Sequence, residues 1–307
     1  MSEESLSLGA GATSVRVVSA RVGLPTRLAN LWRRRELLRN LISSDVQIKY
    51  KGSALGLLWS MLAPAFTLGI YYLVFSVFLK NGYPNYVIFL FSGLIVWNLF
   101  QNAVNVSTSI IVDRAGLVKK VSFPREILPL ASVGAAVVFW LIQMVVLVLF
   151  LVIFHHAPDW GMLLLLPVTF AALYLFTAAV AIVMSALTVY LRDIKHLMEV
   201  LLQLWFWLSP VVYSYSNSIA PALHRHGLAA IYFINPMSLI VLTFQRTFYN
   251  ATTVTSTLSG QPLHMLPTWS VGTFVALNVG LLIVAAVVFL LALVVFGRLE
   301  GNFESEL

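Results

Sequence analysis

The chain has 307 residues, of which 60% are hydrophobic and only 10% charged, and its mean hydropathy is +0.90. Soluble domains carry about 25% charged residues, so this composition excludes an ordinary soluble protein and indicates a chain embedded in a bilayer. The sequence contains no cysteine, which excludes disulfides and thiolate chemistry, and a net charge of +7 makes the placement of the basic residues informative.

The N-terminal fifty residues divide into two parts. Residues 1–27 are rich in Ser, Gly and Ala and lack the apolar core of a signal peptide, so we expect a disordered tail. Residues 28–50 combine a basic run with apolar residues that share one helix face, namely Leu31, Leu38, Ile42 and Val46. This pattern predicts an amphipathic helix along the lipid headgroups, and a solvated juxtamembrane helix is the alternative.

Six later stretches are apolar and long enough to cross a bilayer, which requires about 20 residues. The predicted spans are residues 55–79, 85–110, 127–154, 162–190, 196–214 and 270–296. A further apolar run, 236–245, is too short to cross and predicts a re-entrant or interfacial segment. The predicted fold is therefore an all-α integral membrane protein, with its transmembrane domain at residues 51–300 and a short tail at 301–307.

The basic residues favour one orientation of these spans. If the N-terminus is cytoplasmic, that side carries nine Lys and Arg before the first span, four in residues 111–126, two in 191–195 and one after the last span. The other side carries only Lys80, Arg225 and Arg246. Because basic residues concentrate on the cytoplasmic side, this asymmetry predicts that both termini are cytoplasmic.

The second predicted span carries a polar stripe. Asn98, Asn102 and Asn105 recur at helical spacing within an otherwise apolar segment. Hydrocarbon offers amides no hydrogen bonds, so these side chains must face another helix or water. The stripe therefore indicates either helix packing or the lining of a hydrated pathway.

The end of the fifth predicted span and the outer segment 215–250 are dense in aromatic residues: Trp205, Phe206, Trp207, Tyr213, Tyr215, Tyr232 and Phe233. Such residues form belts at the outer interface of a membrane. The alternative is an aromatic-lined mouth, on which the C–H faces of sugar rings would stack. Asn235 can cap, and Pro236 can begin, a short helix here, so we expect a gate element in this region.

The spans are almost free of ionisable residues, which an embedded enzyme or an ion-coupled carrier would require. No G-x-x-x-x-G-K-[ST] phosphate loop occurs in the sequence, and HHAPD at 155–159 is interpreted as a polar loop rather than a metal site. We therefore expect a conduit with no catalytic residue, metal or cofactor of its own, driven by a partner.

Four stretches together resemble a known family: IKYKGSALGLLWSMLAPAF (48–66), FPREILPLA (123–131), YLRDIKHLMEVLLQLWFWLSPVVYS (190–214) and NPMSLI (235–240). The sequence resembles the channel-forming permease subunit of type-2 ABC transporters that export lipid-linked polysaccharides, such as O-antigen, capsular polymer, teichoic acid or cell-wall galactan. The resemblance runs from about residue 30 to residue 300. It carries more information about the family than about the cargo.

The resemblance implies a homodimer with two copies of a cytoplasmic ATPase, which binds ATP and Mg. It also implies six spans per protomer, an amphipathic helix before the first, short gate helices before the last, and a coupling helix in the loop 111–126. That loop holds the densest charge cluster after the N-terminus, beside a small apolar ridge, as docking surfaces do; an ordinary positive loop is the alternative. The predicted coupling residues are Asp113, Arg114, Leu117, Lys119, Lys120, Phe123, Pro124, Arg125 and Glu126.

The resemblance also sets expectations for the cargo and the location. The expected partners are a lipid-linked polysaccharide and membrane lipids, with no nucleic acid, in the cytoplasmic membrane of a bacterium. Arg33, Arg34 and Arg35 are candidates for binding the pyrophosphate of a lipid carrier, or equally an anionic phospholipid. Two alternatives remain: the permease of a drug, antibiotic or lipid exporter, and an integral-membrane glycosyl- or acyltransferase.

Overall fold

The computed structural model describes residues 23–51, 59–121, 123–225, 227 and 232–307, and most of these residues are helical. The helices are α1 (Leu24–Arg33), α2 (Arg35–Tyr50), α3 (Trp59–Tyr72), α4 (Tyr86–Asp113), α5 (Ala115–Lys120), α6 (Ile127–Ile153), α7 (Trp160–Leu163), α8 (Leu166–Tyr190), α9 (Ile194–Leu208), α10 (Ala220–Arg225), α11 (Pro236–Phe248), α12 (Val271–Leu299) and α13 (Phe303–Glu306). Wider π-helical turns follow α3 (Leu73–Phe78) and precede α10 (Tyr215–Ile219), and a 3-10 turn (Glu300–Asn302) follows α12. Strands β1 (Thr253–Thr255) and β2 (Pro262–His264) form an antiparallel hairpin that the all-α prediction did not include.

Five helical segments of the described chain are long and apolar enough to cross a membrane: Met61–Phe78, Tyr86–Asp113, Ile127–Ile153, Leu166–Tyr190 and Val271–Asn302. They coincide with five of the predicted spans, which confirms a mostly helical, multi-pass membrane protein. The predicted sixth span, 196–214, is not one continuous helix, because α9 has 15 residues and ends at Leu208. A helix of that length measures about 22 Å, less than the ~30 Å of a hydrocarbon core, so the count of six spans is not confirmed.

The sequence Ser209-Pro210 explains where α9 ends. A residue that precedes proline is disfavoured in helical conformation, and Pro210 has no N–H to continue the ladder. The chain runs on without helix to Ser214, whose hydroxyl contacts the carbonyls of His264 at 3.0 Å and Met265 at 2.7 Å. The stretch from α9 to Ser214 is therefore a helix followed by an irregular segment that ends beside β2.

Ion pairs define one end of the protein, which we call the charged end. Arg27 of α1 contacts both Glu126, just before α6, and Glu300, just after α12. Arg114, just after α4, pairs with Asp45 of α2. The N-terminal helices and the end of α12 therefore lie together at the charged end.

Hydrogen bonds between loops define the opposite end. The hydroxyl of Tyr249 donates to the carbonyl of Pro84 at 2.8 Å, and the ring of His156 contacts the carbonyl of Tyr249 at 2.8 Å. The hairpin joins them, because the amide of Thr257 donates to the carbonyl of Gly82 at 3.0 Å. The loops that follow α3, α6 and α11 thus converge at the opposite end.

The helix at the centre of the protein is α4, which packs against α3, α6, α8, α9 and α11. In an apolar stretch of 18 residues of α4, 78% of the residues are buried, against 6% for the span Met61–Phe78. Large apolar side chains such as Phe66, Val145, Leu204 and Ile283 are exposed on α3, α6, α9 and α12. An apolar surface of this extent is typical of a protein surrounded by lipid.

The predicted amphipathic helix differs from its expected form in two respects. It begins at Leu24, four residues before the predicted start, and Arg34 divides it into α1 and α2. Its apolar face packs against the protein's own spans, since Ile42 occupies the space that the missing side chain of Gly134 leaves on α6. Residues 1–22 of the predicted tail lie outside the described residues. The predicted C-terminal tail packs as well, because Phe303 is fully buried against Phe296 and Tyr190.

Candidate functional site at the charged end

The predicted coupling loop contains a short helix. α4 continues to Asp113, three residues beyond the predicted end of the span, and α5 follows directly after Arg114. Val118 is the buried residue of α5, whereas Leu117, Lys119 and Lys120 are exposed. One residue thus anchors α5 to the bundle, and an apolar side chain with two cations is left on the surface.

Ion pairs secure the chain on both sides of α5. On the side of α4, Arg114 pairs with Asp45 of α2, and Ser109 contacts Asp113 at 2.6 Å. On the side of α6, Glu126 pairs with Arg27 of α1 and is almost completely buried. The helix α5 is therefore attached at both flanks to the N-terminal helices as well as to the spans that it connects.

The residues between α5 and α6 form a turn rather than the first turn of the span. The amide of Ile127 donates to the carbonyl of Pro124 at 3.1 Å, so Pro124 precedes α6. Arg125 donates to the main-chain carbonyl of Glu300 at 2.9 Å and lies over the ring of Phe303. Phe123 is half-buried against the apolar cluster that contains Phe296 and Phe303, so this turn is packed against the end of α12.

Sequence reasoning found the loop but not the side chains that hold it. Three of the nine predicted coupling residues face outward, namely Leu117, Lys119 and Lys120, and three contact nearby residues or pack on the bundle, namely Asp113, Phe123 and Pro124. The other three, Arg114, Arg125 and Glu126, bind residues that are distant in sequence. Their partners Arg27, Asp45 and Glu300 were not predicted. Arg27 is one of nine basic residues before the first span and has no motif around it, so no local signal distinguishes it.

Burial and charge govern the ionisation of Glu126. Burial raises the pKa of this carboxyl, the nearby charge of Glu300 raises it further, and the contact with Arg27 opposes both. Burial alone would lower the pKa of Arg27, but its contacts with Glu300 and Glu126 raise it above its usual range. Arg27 is therefore a permanent cation between two carboxyl groups.

The polar stripe of α4 splits between the two interpretations. Asn98 donates to Gln143 of α6 at 3.3 Å and so contributes to helix packing. Asn105 is half-buried, and Asn102 is exposed beside Val106 on an otherwise buried helix. Asn102 therefore has to meet lipid, water or another molecule.

The predicted aromatic residues also separate into two groups. Phe206 is buried and Trp205 half-buried, and both contact aromatic rings of the protein's own core. Trp207 is exposed on α9 and accepts, through its carbonyl, a hydrogen bond from Tyr213 at 2.8 Å. The other group packs together at the opposite end and comprises Tyr215, Tyr232, Phe233 and Trp269. Sequence reasoning did not include Trp269 in this group.

The irregular segment after α9 is held by side chains rather than by a helical ladder. The amide nitrogen of Gln245 lies 2.9 Å from the carbonyl of Pro210 and 3.3 Å from that of Val211, and Tyr86 donates to the carbonyl of Val212. Asn235 caps α11 and also bonds Ser209 at 3.0 Å. Irregular backbone at membrane depth requires such partners, because lipid supplies none.

Two predicted sites remain, the three arginines at 33–35 and the loop HHAPD at 155–159. Arg33, Arg34 and Arg35 are exposed at the junction of α1 and α2, where they can reach an anionic surface. Asp159 of HHAPD caps α7 and pairs with Arg246 at 3.0 Å. Within the residues that the structure describes, no three His, Asp or Glu side chains converge in a manner that could hold a metal ion.

Comparison with known proteins places this arrangement in a family. Residues 36–249 match the family model described as ABC-2 type transporter. The chain is 32% identical over 219 residues to the O-antigen export system permease protein RfbA of Myxococcus xanthus, which covers 71% of this chain and 82% of that protein. Two proteins of the same name from Klebsiella pneumoniae are 29% and 28% identical, over 71% and 70% of this chain and 82% and 81% of their own lengths.

The matched region begins within α2 and ends just after α11, so it includes α5 and the irregular segment after α9. The relatives are permease proteins, which are not themselves enzymes, and this removes the transferase alternative. The chain therefore belongs to the ABC-2 type transporter family and is a multi-pass membrane permease of an ABC exporter.

Proposed function

We propose that this chain is the membrane subunit that exports a lipid-linked polysaccharide across the bacterial cytoplasmic membrane. ATP hydrolysis in a separate cytoplasmic subunit, which binds ATP and Mg, drives the transport. The observation that carries the coupling half of this proposal is α5, a short helix with exposed Leu117, Lys119 and Lys120 at the charged end. The names of the relatives support a polysaccharide as the cargo.

The charged end is the cytoplasmic side in this proposal, because it gathers the basic residues that membrane proteins retain inside. α5 docks into the ATPase with Leu117 as its apolar anchor and the two lysines at the rim, as interfaces commonly combine an apolar centre with a polar border. Movement of the ATPase then displaces α5 together with the ends of α4 and α6, between which it is held.

The functional unit is a pair of chains with two ATPase copies. α9 supports the pairing, because only Met198, Leu202 and Phe206 along its length are buried, at a spacing of four. Its polar residues Glu199 and Gln203 are exposed although they belong to an apolar helix. A second copy or a hydrated channel between two copies would give these side chains the partners that lipid does not.

The path of the glycan lies between the two copies in this proposal. Of the predicted channel residues, Asn102 and Trp207 remain available on the surface of the single chain, whereas Trp205 and Phe206 belong to its core. The aromatic group at the opposite end lies where the glycan would leave. The exposed Arg33, Arg34 and Arg35 attract the anionic lipid end of the cargo on the cytoplasmic side.

Reversal of charge on α5 tests the coupling. In the complex with its ATPase, Lys119→Glu with Lys120→Glu should abolish glycan export and weaken assembly with the ATPase. The matched control is Arg192→Glu with Lys195→Glu, which changes the net charge equally at two exposed residues before and within α9. Export that survives the α5 change would remove α5 from the mechanism, and equal losses in both variants would indicate general attraction rather than docking.

Depletion of the protein tests the cargo. The proposal expects a lipid-linked glycan to accumulate on the cytoplasmic side of depleted cells, where its sugar composition identifies the polymer. The alternative within the family is the permease of a drug, antibiotic or lipid exporter. That alternative predicts unchanged glycan levels in depleted cells. Depleted cells would instead lose resistance to a drug or antibiotic, or lose one lipid from the outer leaflet of the membrane.

A further inference from the structure

We infer that Arg27 is a positioning residue of the coupling apparatus. It holds Glu126, the last residue before α6, against Glu300 at the end of α12, so that the loop carrying α5 moves together with the last span. This inference rests on the proposed role of α5 in docking the ATPase.

The geometry around Arg27 is that of a buried connection. Its side chain is 9% exposed and bonds to the carboxylates of Glu126, 3% exposed, and Glu300, 26% exposed. The guanidinium lies against Gly297 of α12, where a β-carbon would collide with it. One side chain of α1 thus bridges two segments that are far apart in sequence and that the turn at Arg125 also joins.

The charges show why a cation is needed at this position. Glu126 and Glu300 bring two carboxyl groups together in a poorly solvated place, and the charge of Glu300 raises the pKa of Glu126. Without Arg27 the two groups would repel each other, because the loss of one member of a buried ion pair leaves an uncompensated buried charge. Arg27 therefore fixes the distance between the start of α6 and the end of α12 and does more than neutralise a single acid.

The position of this connection relative to α5 gives it a role in coupling. The other flank of α5 is attached to α2 through Arg114 and Asp45. A force on α5 therefore reaches the N-terminal helices at both flanks, and through Arg27 it also reaches α12. Without Arg27, α5 would remain attached to α4 and α6, but its motion would reach the last span less firmly, through the turn at Arg125 rather than through a buried ion pair.

The first readout is a distance. The sequence has no cysteine, so spin labels can be attached to Gly116→Cys on α5 and Gly301→Cys after α12, both exposed sites where nothing lies within 4 Å of an added β-carbon. Labelled chains are diluted with unlabelled ones in the complete complex, so that the distance is measured within one chain. We expect one narrow distance with and without ATP when Arg27 is present, and a broad distribution in Arg27→Met.

The second readout is the amount of glycan exported per ATP hydrolysed. We expect this ratio to fall about tenfold in Arg27→Met, within the range that energetic coupling between sites usually spans. The matched control is Arg298→Met, which removes an exposed cation from the last turn of α12 and should leave the ratio and the distance unchanged.

A double variant separates positioning from stability. Arg27→Met with Glu126→Leu replaces the ion pair by apolar side chains, a change that often restores stability in buried sites. We expect the complex to assemble normally while the distance stays broad and the ratio stays low. If the ratio recovers along with stability, or if Arg27→Met keeps both readouts at the level of the unaltered protein, Arg27 is only a structural residue and the inference is wrong.

The failure of this inference differs from the failure of the proposed function. If the unaltered complex hydrolyses ATP without moving glycan, the assigned cargo is wrong. The label distance still judges Arg27 in that case, because it requires no cargo.

Discussion

Asn278 offers a quantitative test of how the spans are held together. It is fully buried on α12, and its amide nitrogen donates to the hydroxyl of Thr243 on α11 at 3.0 Å and to the carbonyl of Phe274 at 2.9 Å. Its oxygen accepts from the hydroxyl of Thr169 on α8 at 2.9 Å. One side chain thus joins α8, α11 and α12, and we predict that Thr243→Val and Asn278→Leu are strongly non-additive.

The expected magnitudes follow from the partners that remain. Thr243→Val leaves one buried N–H of Asn278 unpaired, which costs about 1–3 kcal/mol of unfolding free energy. Asn278→Leu removes its bonds to Thr169 and Thr243, and such bonds in membrane proteins average about 0.6 kcal/mol each. Both hydroxyls then keep a carbonyl within their own helix, that of Leu165 at 3.1 Å for Thr169 and that of Leu239 at 2.8 Å for Thr243. Once Asn278 is gone, Thr243→Val should therefore cost almost nothing.

The assay is unfolding of the purified permease in detergent, with the free energies of the two single variants and the double variant compared in a cycle. We expect the double variant to be about as stable as Asn278→Leu alone, so the coupling energy equals the whole cost of the single Thr243→Val change, about 1–3 kcal/mol. The control is Thr177→Val on α8, because the buried hydroxyl of Thr177 has no hydrogen-bond partner among the described residues and its loss should be neutral or stabilising. Additive losses to within about 0.5 kcal/mol would refute this reasoning.

Two further predictions concern the irregular segment and the charged end. Gln245→Leu should accelerate amide hydrogen exchange in residues 209–214, because the carbonyls of Pro210 and Val211 lose their hydrogen-bond donor. Gly93→Ala should also accelerate this exchange, since its β-carbon would lie 3.0 Å from the amide nitrogen of Gln245. Unchanged exchange in both variants would show that the segment is held by other means. The raised pKa of Glu126 means that the folded state binds this proton more tightly than the unfolded state, whose carboxyl has a pKa near 4.5. The thermal midpoint of unfolding should therefore fall as the pH rises through the raised pKa of Glu126. Glu126→Gln should flatten this dependence of the midpoint on pH, and an identical slope in the variant would contradict the prediction.

The spans could be read from the sequence because hydrocarbon imposes a simple rule on their composition. The prediction of 127–154 matches Ile127–Ile153, and that of 162–190 begins four residues before Leu166–Tyr190. Helix α9 ends at Leu208, inside the predicted span 196–214, and local chemistry accounts for this end, since a residue before proline rarely stays helical. Residues 196–214 are apolar enough for a span, but composition alone does not reveal where the helix ends within them.

The contacts that connect the predicted elements were beyond sequence reasoning. Arg27 meets Glu126 and Glu300 across separations of 99 and 273 residues, and no periodicity encodes such pairs. Asn278 carried a weak signal, because an isolated amide in an apolar span requires a partner, but nothing in the sequence named Thr169 or Thr243. The polar stripe on α4 was located correctly, yet only the packing shows that Asn98 faces α6 while Asn102 does not.

The central place of α4 has a consequence for how the molecule can deform. A buried helix with neighbours on nearly every side cannot rotate about its axis without breaking its interlocking with them, so α4 must move as one rigid unit with α6, α8 and α11, which cover it most closely. Close-packed interiors resist any smaller adjustment. Deformation is left to the weakly covered segments Met61–Phe78 and α9, of which the first is 6% buried and the second has only Met198, Leu202 and Phe206 buried. The permease is thus divided into a stiff body around α4 and two more deformable segments, whose displacement would widen or narrow the space beside them.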